Sequence, residues 1–350
     1  MKALVFNGPK DIRYESYDDP ELRTPNSAIV KVKKCSICGS DLHMYHGANI
    51  GTNEYGEDTH KFCTGHEFIG EVVEVGADTH TLKVGDKVLS AGGTGCGRCK
   101  YCLTGRANQC KSATAFGIGP SLQGGQAEYV NIPNADFTLM KTDGAVSDEH
   151  AILLTDAMAT AYFGLVRADV SPGSTVAVVG LGPIGILGVE LAYAMGAARV
   201  IAIDPVESRR KAAEAVGAIA LEPNEDMPAK IAELTKGAGV PSVFEASGAI
   251  PAINSAVDLV AWGGTISAIG LPSPKAGASV MKLLIKNATF RAGVARIQET
   301  WPHLLPLIAT GKVKGEGLFT HKFKLSEGSE AYRLFDARED DVVKVMIDVD

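Results

Sequence analysis

Up to about residue 150 the chain runs in short segments where apolar and polar residues nearly alternate. These are AIVKVKK, EFIGEVVEVG, DKVLS and AEYVNIP, with Gly, Asp and Asn between them and the strand-like KALVF at the start. A period of two buries one face of a segment and exposes the other, so the pattern predicts a β-rich domain. From about Ser174 the pattern changes to apolar runs (TVAVVG, RVIAID, AIALEP, PSVFEAS, GTISAIG) separated by stretches of helical spacing, one over Glu207 to Val216. Strands alternating with helices predict a parallel sheet covered on both faces. After about Arg296 the alternation stops. A helix is expected near Trp301 to Thr310, and the closing DVVKVMIDV reads as a strand that packs back on the first half. The expected fold class is α/β: a β domain over 1–157, a doubly wound parallel sheet over 158–296, and a return to the first domain over 297–350. No repeat of solenoid period and no low-complexity segment interrupts this plan.

Composition agrees with the plan and narrows the function. At roughly 150 residues per domain, 350 residues make about two domains. An apolar share of 45% with 21% charged residues is enough for ordered cores. A net charge of −7, from 34 Lys and Arg against 41 Asp and Glu, disfavours nucleic acid and anionic membrane surfaces as partners. The uncharged stretch Val170 to Val189 holds five Gly and two Pro, so it reads as strand, turn and helix rather than a membrane span. The first residues lack the pattern of a secretory signal, and a cytoplasmic location is expected. In a reducing compartment the seven cysteines, four of them between positions 96 and 110, point to metal rather than disulfides.

The GLGPIG unit follows the apolar strand TVAVV directly, and Ile184, Leu187, Leu191 and Met195 then recur at helical spacing. Gly180, Gly182 and Gly185 permit a tight turn, close approach of a pyrophosphate and close helix packing. The helix opening at Pro183 offers unpaired N–H groups to phosphate. Asp204 ends the next strand 19 residues beyond Gly185, where a carboxylate can accept from a ribose hydroxyl and repel a phosphate. This favours NAD over NADP. Arg209 could lie over the adenine side or be an exposed helical residue.

Cys96, Cys99, Cys102 and Cys110 form C-x2-C-x2-C-x7-C, a spacing that lets four thiolates wrap one tetrahedral zinc and close it to other ligands. Cys38 in CGSDLH, His66 in GHE and Asp156 in LLTDAMAT are further metal-ligand types, but spacing does not join them. A local alternative is Cys35, Cys38, Cys63 and His66, which spell C-x2-C and C-x2-H and could close a second structural zinc.

Through GHEFIGEVVEVG, the four-cysteine lobe, CGSDLH and GLGPIG in that order, the chain resembles the zinc-dependent medium-chain alcohol dehydrogenases over nearly its whole length. The resemblance implies a GroES-like domain carrying one catalytic and one structural zinc, a Rossmann NAD domain, and an active site in the cleft between them. It also implies a homodimer or homotetramer assembled through the Rossmann domains. By position, Cys38, His66 and Asp156 resemble the catalytic zinc ligands, and Glu67 an occasional fourth. Many members carry Cys where Asp156 stands; Asp there is similar to bacterial secondary alcohol and formaldehyde dehydrogenases. Ser40 and His43 correspond to a proton relay by way of the ribose hydroxyls, with His43 suited to the task by an unperturbed pKa near ~6.5. Asp41 is expected to orient His66. Thr160 corresponds to a residue packing near the nicotinamide, Gly270 to the place where backbone meets the carboxamide, and Lys344 to a basic residue facing the pyrophosphate. Gly92 stands where some members place a bulky aromatic against substrate, which predicts room for secondary or branched alcohols. The implied activity is zinc- and NAD-dependent interconversion of a small alcohol with its aldehyde or ketone. Polyol, amino-alcohol and formaldehyde dehydrogenases share these motifs. A zinc-stabilised NAD sensor without catalysis would need neither the dispersed ligands nor the relay.

Overall fold

The computed structural model describes residues 1–47, 61–144 and 146–349, and it divides into two compact units. The first comprises Met1–Asp156, Arg296–Pro302 and Glu316–Asp350; the second comprises Ala157–Ala295 and His303–Gly315. The return to the first unit is therefore interrupted: 303–315, expected in the first domain, belongs to the second.

The first unit is built on a seven-stranded, mostly antiparallel sheet. Its strands run in the order Leu139–Lys141, Lys87–Ser90, Glu67–Val75, Ala28–Ile37, Lys344–Asp348, Phe319–Lys324, and Tyr129–Ile132 also pairs with Ala28–Ile37. The closing strand does pack on the first half, with Val345 opposite Ile37 and Ile347 opposite Cys35. On the other side of Ala28–Ile37, Ser36 pairs with Glu67 and Cys35 with Phe68. This register fixes the ends of two strands side by side, Cys38 just beyond one and His66 just before the other. A core of Val30, Val32, Ile37, Phe68, Phe116, Tyr332 and Val345 lies beneath them. A three-stranded sheet of Asp11–Ser16, Lys2–Gly8 and Phe62–Cys63 completes the unit's main β structure.

The second unit is a six-stranded parallel sheet in the order Ile219–Leu221, Arg199–Ile203, Thr175–Val179, Val240–Glu245, Val260–Ala268, Thr289–Ala292. Numbered along the chain this is 3-2-1-4-5-6, the doubly wound order of dinucleotide-binding sheets. Val176, Ala177 and Val178 are fully buried because helices cover both faces, which is why the strand reads as unbroken apolar sequence. The edge strand Thr289–Ala292 is half exposed and has no counterpart in the sequence pattern. The helix expected near Trp301 begins earlier, at Ile297, and ends at Ala309. Among the described residues no helix is long and apolar enough to cross a membrane.

Candidate metal centre and dinucleotide loop

Cys38 ends an extended run and caps the short helix Gly39–Tyr45, its N–H donating to Asp41 Oδ2 at 2.8 Å. The other oxygen of Asp41 lies 3.0 Å from Nδ1 of His66, close enough for Coulombic pairing although the ring N–H is not lined up with it. Asp41 is fully buried, so one carboxylate fixes both the turn that presents Cys38 and the imidazole of His66. Asp156 stands at the break between helices Asp148–Thr155 and Ala157–Arg167, with φ −155° and ψ −71°. Its Oδ2 comes 3.2 Å from Cys38 Sγ and 3.6 Å from His66 Nε2. The structure thus gathers three groups that are far apart in sequence.

Glu67 joins them: donor atoms of Cys38, His66, Glu67 and Asp156 all lie within 4.8 Å of one another. Donors held ~2.0–2.3 Å from a tetrahedral zinc stand roughly 3.3–3.7 Å from each other, and the distances from Asp156 to Cys38 and His66 lie close to that range. Two further observations support the fit. Glu67 is fully buried and its Oε1 has no partner among the described residues. The donors also hold protons that a bound cation would displace. Burial and the Asp156 carboxylate push the Cys38 thiol up to about 11. Against the opposing effect of burial, the carboxylates of Asp41 and Asp156 hold the proton of His66 well above the usual imidazole range.

Lys344 requires a correction. It is 1% exposed, and its Nζ lies 2.5 Å from Oε2 of Glu67, so its ammonium is committed to a buried carboxylate next to the metal ligands rather than left open for a phosphate. The competing tetrad fails as well. Cys35 and Cys63 are fully buried, Cys63 with its thiol pushed up to about 12 by burial, and neither belongs to either of the two clusters of possible metal ligands among the described residues.

The second cluster is Cys96, Cys99, Cys102 and Cys110, again with donor atoms within 4.8 Å of one another. The sulfurs of Cys99 and Cys102 are 3.6 Å apart, and Cys110 Sγ accepts from the N–H of Cys96 at 3.4 Å and of Ser112 at 3.3 Å. Backbone N–H groups of Arg98 and Cys99 pull the Cys96 thiol down to about 6, which favours the thiolate that zinc binds. With four sulfurs and no open position, this set suits a structural ion.

In the second unit, Gly180 (φ +90°) donates its N–H to Ile203 O at 2.8 Å, and Gly182 caps the helix Pro183–Ala194 with Pro183 in its first turn and Ile184 beside it. A Cβ on Gly185 would stand 1.9 Å from the Gly180 carbonyl oxygen, so this glycine allows helix and strand to meet. Asp204 is 4% exposed and already accepts two backbone N–H groups, from Leu181 at 2.7 Å and Val206 at 2.8 Å. It therefore shapes the glycine loop, and its remaining lone pairs are those available to a ribose. Arg210, the neighbour of Arg209, reaches back to the carbonyls of Asp204 and Pro205, both at 2.8 Å, while Arg209 lies half-buried on the same helix. Thr160 is buried on helix Ala157–Arg167, and a Cβ on Gly270 would meet Gly248 N at 2.1 Å, so two strand-end loops touch there. A further buried acid, Glu245, accepts from Ser247 and Gly248 N–H at 2.8 Å each; nothing in the sequence pattern singles it out.

Known proteins resemble this chain in sequence and fold. Residues 24–142 match the family model of the alcohol dehydrogenase GroES-like domain, and 183–310 that of the zinc-binding dehydrogenases. A probable zinc-binding alcohol dehydrogenase of Mycobacterium tuberculosis is 37% identical over 347 residues, covering 97% of this chain and 86% of that protein. An L-threonine 3-dehydrogenase of Bacillus licheniformis is 33% identical, covering 95% of each chain. The solved alcohol dehydrogenase TADH from Thermus sp. ATN1 superposes with a TM-score of 0.91 at 34% identity, covering all of both chains. The chain belongs to the zinc-type alcohol dehydrogenase family, and it is an oxidoreductase of that family.

Proposed function

We propose that this protein is an NAD-dependent dehydrogenase of small or medium alcohols, secondary ones included, holding a catalytic zinc on Cys38, His66 and Asp156 and a structural zinc on the four clustered cysteines. The observation that carries the reading is the convergence of one thiol, one imidazole and one carboxylate from three distant segments, with Glu67 behind them. Bound zinc would make the hydroxyl of an alcohol more acidic, and NAD would accept the hydride from its carbon. The chain's own part is to orient and to move a proton. Ser40 Oγ lies 3.3 Å from His66 Nε2, within reach of a hydroxyl brought to the same donor set. His43 follows one helical turn further on, half-buried, and burial and then nearby His46 lower its pKa. It is therefore neutral, and able to take a proton, at neutral pH.

A Cβ on Gly92 would lie 3.3 Å from His66 Cδ2, so a larger side chain would press on the ligand imidazole. Glycine there leaves the imidazole unpressed, and acceptance of branched substrates is read from the substrate panel. A panel of primary and secondary alcohols, polyols and L-threonine, read by reduced-nicotinamide absorbance, tests the reading. Turnover that survives complete removal of zinc by a chelator would overturn it.

NAD selectivity is assigned to Asp204. Asp204→Ser is expected to raise the NADP to NAD ratio of kcat/KM about tenfold or more by removing the repelling charge. It should also weaken NAD binding, because Leu181 and Val206 lose their acceptor. Steady-state kinetics with both dinucleotides checks this; an unchanged ratio would contradict the assignment.

Assembly as a homodimer or homotetramer is supported by an apolar face on the second unit. Val280, Met281, Leu284 and Ile285 on helix Val280–Lys286 are 52–74% exposed, and Trp262 is 70% exposed. Lys286 fixes that helix by donating to the carbonyls of Val257, Asp258 and Val260 at 2.7–3.0 Å. Such a patch ordinarily meets a partner surface. All seven cysteines are free of disulfides, which leaves the clustered thiols available as ligands.

A further inference from the structure

Beneath the turn that carries His66 lies a side chain that the function does not yet use. Gln126 is fully buried, and both ends of its amide are engaged. Its Oε1 accepts from Thr64 Oγ at 2.5 Å and from Tyr332 OH at 2.9 Å, and its Nε2 donates to the Ser36 carbonyl at 3.0 Å. Its backbone N–H donates to Thr64 O at 2.9 Å. Its Cγ fills the place that a side chain on Gly65 would need: a Cβ there would be 2.3 Å away, and Gly65 holds φ +90°.

These contacts lead to groups in the metal site. Ser36 precedes Cys38 by two residues, and its own hydroxyl donates to Val345 O at 2.6 Å, next to Lys344, the partner of Glu67. Thr64 and Gly65 precede His66. Tyr332 packs on Tyr45, with ring centroids 5.6 Å apart, and Tyr45 ends the helix that presents Ser40 and Asp41. A buried amide held at both ends has one low-energy arrangement, and leaving its partners unpaired is costly.

We propose that Gln126 is a positioning residue for the catalytic metal centre, setting the relative placement of Cys38, His66 and Glu67 through Ser36, Thr64 and Gly65 without touching ion or substrate. This rests on the zinc reading above. Gln126→Met keeps the length that packs on Gly65 and removes the three side-chain hydrogen bonds.

The test compares the variant with the wild-type holoenzyme by elemental analysis, by the rate at which phenanthroline withdraws each zinc, and by the visible absorption bands after cobalt replaces the catalytic ion. Loss of the catalytic zinc is expected to quicken about tenfold, the scale typical of groups that orient metal ligands, with altered cobalt bands and unchanged loss from the four-cysteine site. A merely structural role would lower the unfolding temperature and leave the bands and the rate of zinc loss as in wild type, and that result would overturn the proposal. Should Gln126→Met not fold, Tyr332→Phe removes a single donor to Oε1 and should shift the same readouts in the same direction by a smaller factor; no shift would overturn it equally. A wild-type protein with zinc on the four cysteines and none at Cys38, His66 and Asp156 would reject the zinc reading itself and this inference with it.

Discussion

Asp156→Ala is expected to abolish alcohol oxidation, at least ~10³-fold in kcat/KM, and to reduce bound zinc from two ions per chain to one. In the proposed ligand set the carboxylate is one of three strong donors, 3.2 Å from Cys38 Sγ and 3.6 Å from His66 Nε2, and alanine would supply none. Losing a Lewis acid removes several kcal/mol of transition-state stabilisation, and each ~1.4 kcal/mol is a factor of ten. The fold should survive, since Asp156 is partly exposed at a helix break and the core beneath it rests on Ile152, Leu153 and Leu154. Asp156→Cys separates a ligand role from a packing role. It restores an anionic donor of a type zinc accepts and should recover the second zinc and part of the rate. Elemental analysis with steady-state kinetics on both variants checks this; full activity in Asp156→Ala would remove Asp156 from the site.

The reasons that some of this is legible in sequence and some is not are physical. The glycine loop and the four-cysteine lobe are local: each folds from fewer than about twenty consecutive residues, so spacing alone carries their geometry. The alternating strands are legible because a sheet with one buried face writes its period into the sequence. Thr289–Ala292 escapes because it is a four-residue edge strand with no fully buried position. The proposed catalytic donors are the opposite case. Cys38, His66 and Asp156 meet only because Ser36 pairs with Glu67 across two strands and a helix breaks at residue 156, and no one-dimensional spacing records that. Their grouping comes from family resemblance. Lys344 shows the limit of that route: its partner Glu67 is 277 residues away, and position alone suggests phosphate where the fold supplies a carboxylate. Gln126 has a weak signal, a polar residue in GGQAEY next to a strand whose alternate residues are apolar, which marks a buried amide only once the partners are known.

The glycine loop offers a prediction in which two neighbouring glycines separate folding from binding. At Gly185 a Cβ would stand 1.9 Å from the Gly180 carbonyl oxygen, a backbone atom held in place by the N–H of Gly180 on Ile203 O. Gly185→Val must therefore push helix Pro183–Ala194 off the strand Thr175–Val179, and overpacking of this kind costs about 3 kcal/mol or more. At Gly182 nothing lies within 4 Å of the place a Cβ would take and φ is −68°, so Gly182→Ala fits the folded chain without strain. The added methyl instead occupies the space at the helix start where a pyrophosphate approaches the free N–H groups. Gly185→Val is expected to lower the unfolding temperature of the second unit and lose dinucleotide binding together. Gly182→Ala should keep the wild-type unfolding temperature and weaken NADH binding about tenfold, with the zinc content of both variants unchanged. Calorimetry paired with fluorescence titration of NADH distinguishes the two. Wild-type NADH affinity in Gly182→Ala would mean that the cofactor does not lie across this turn.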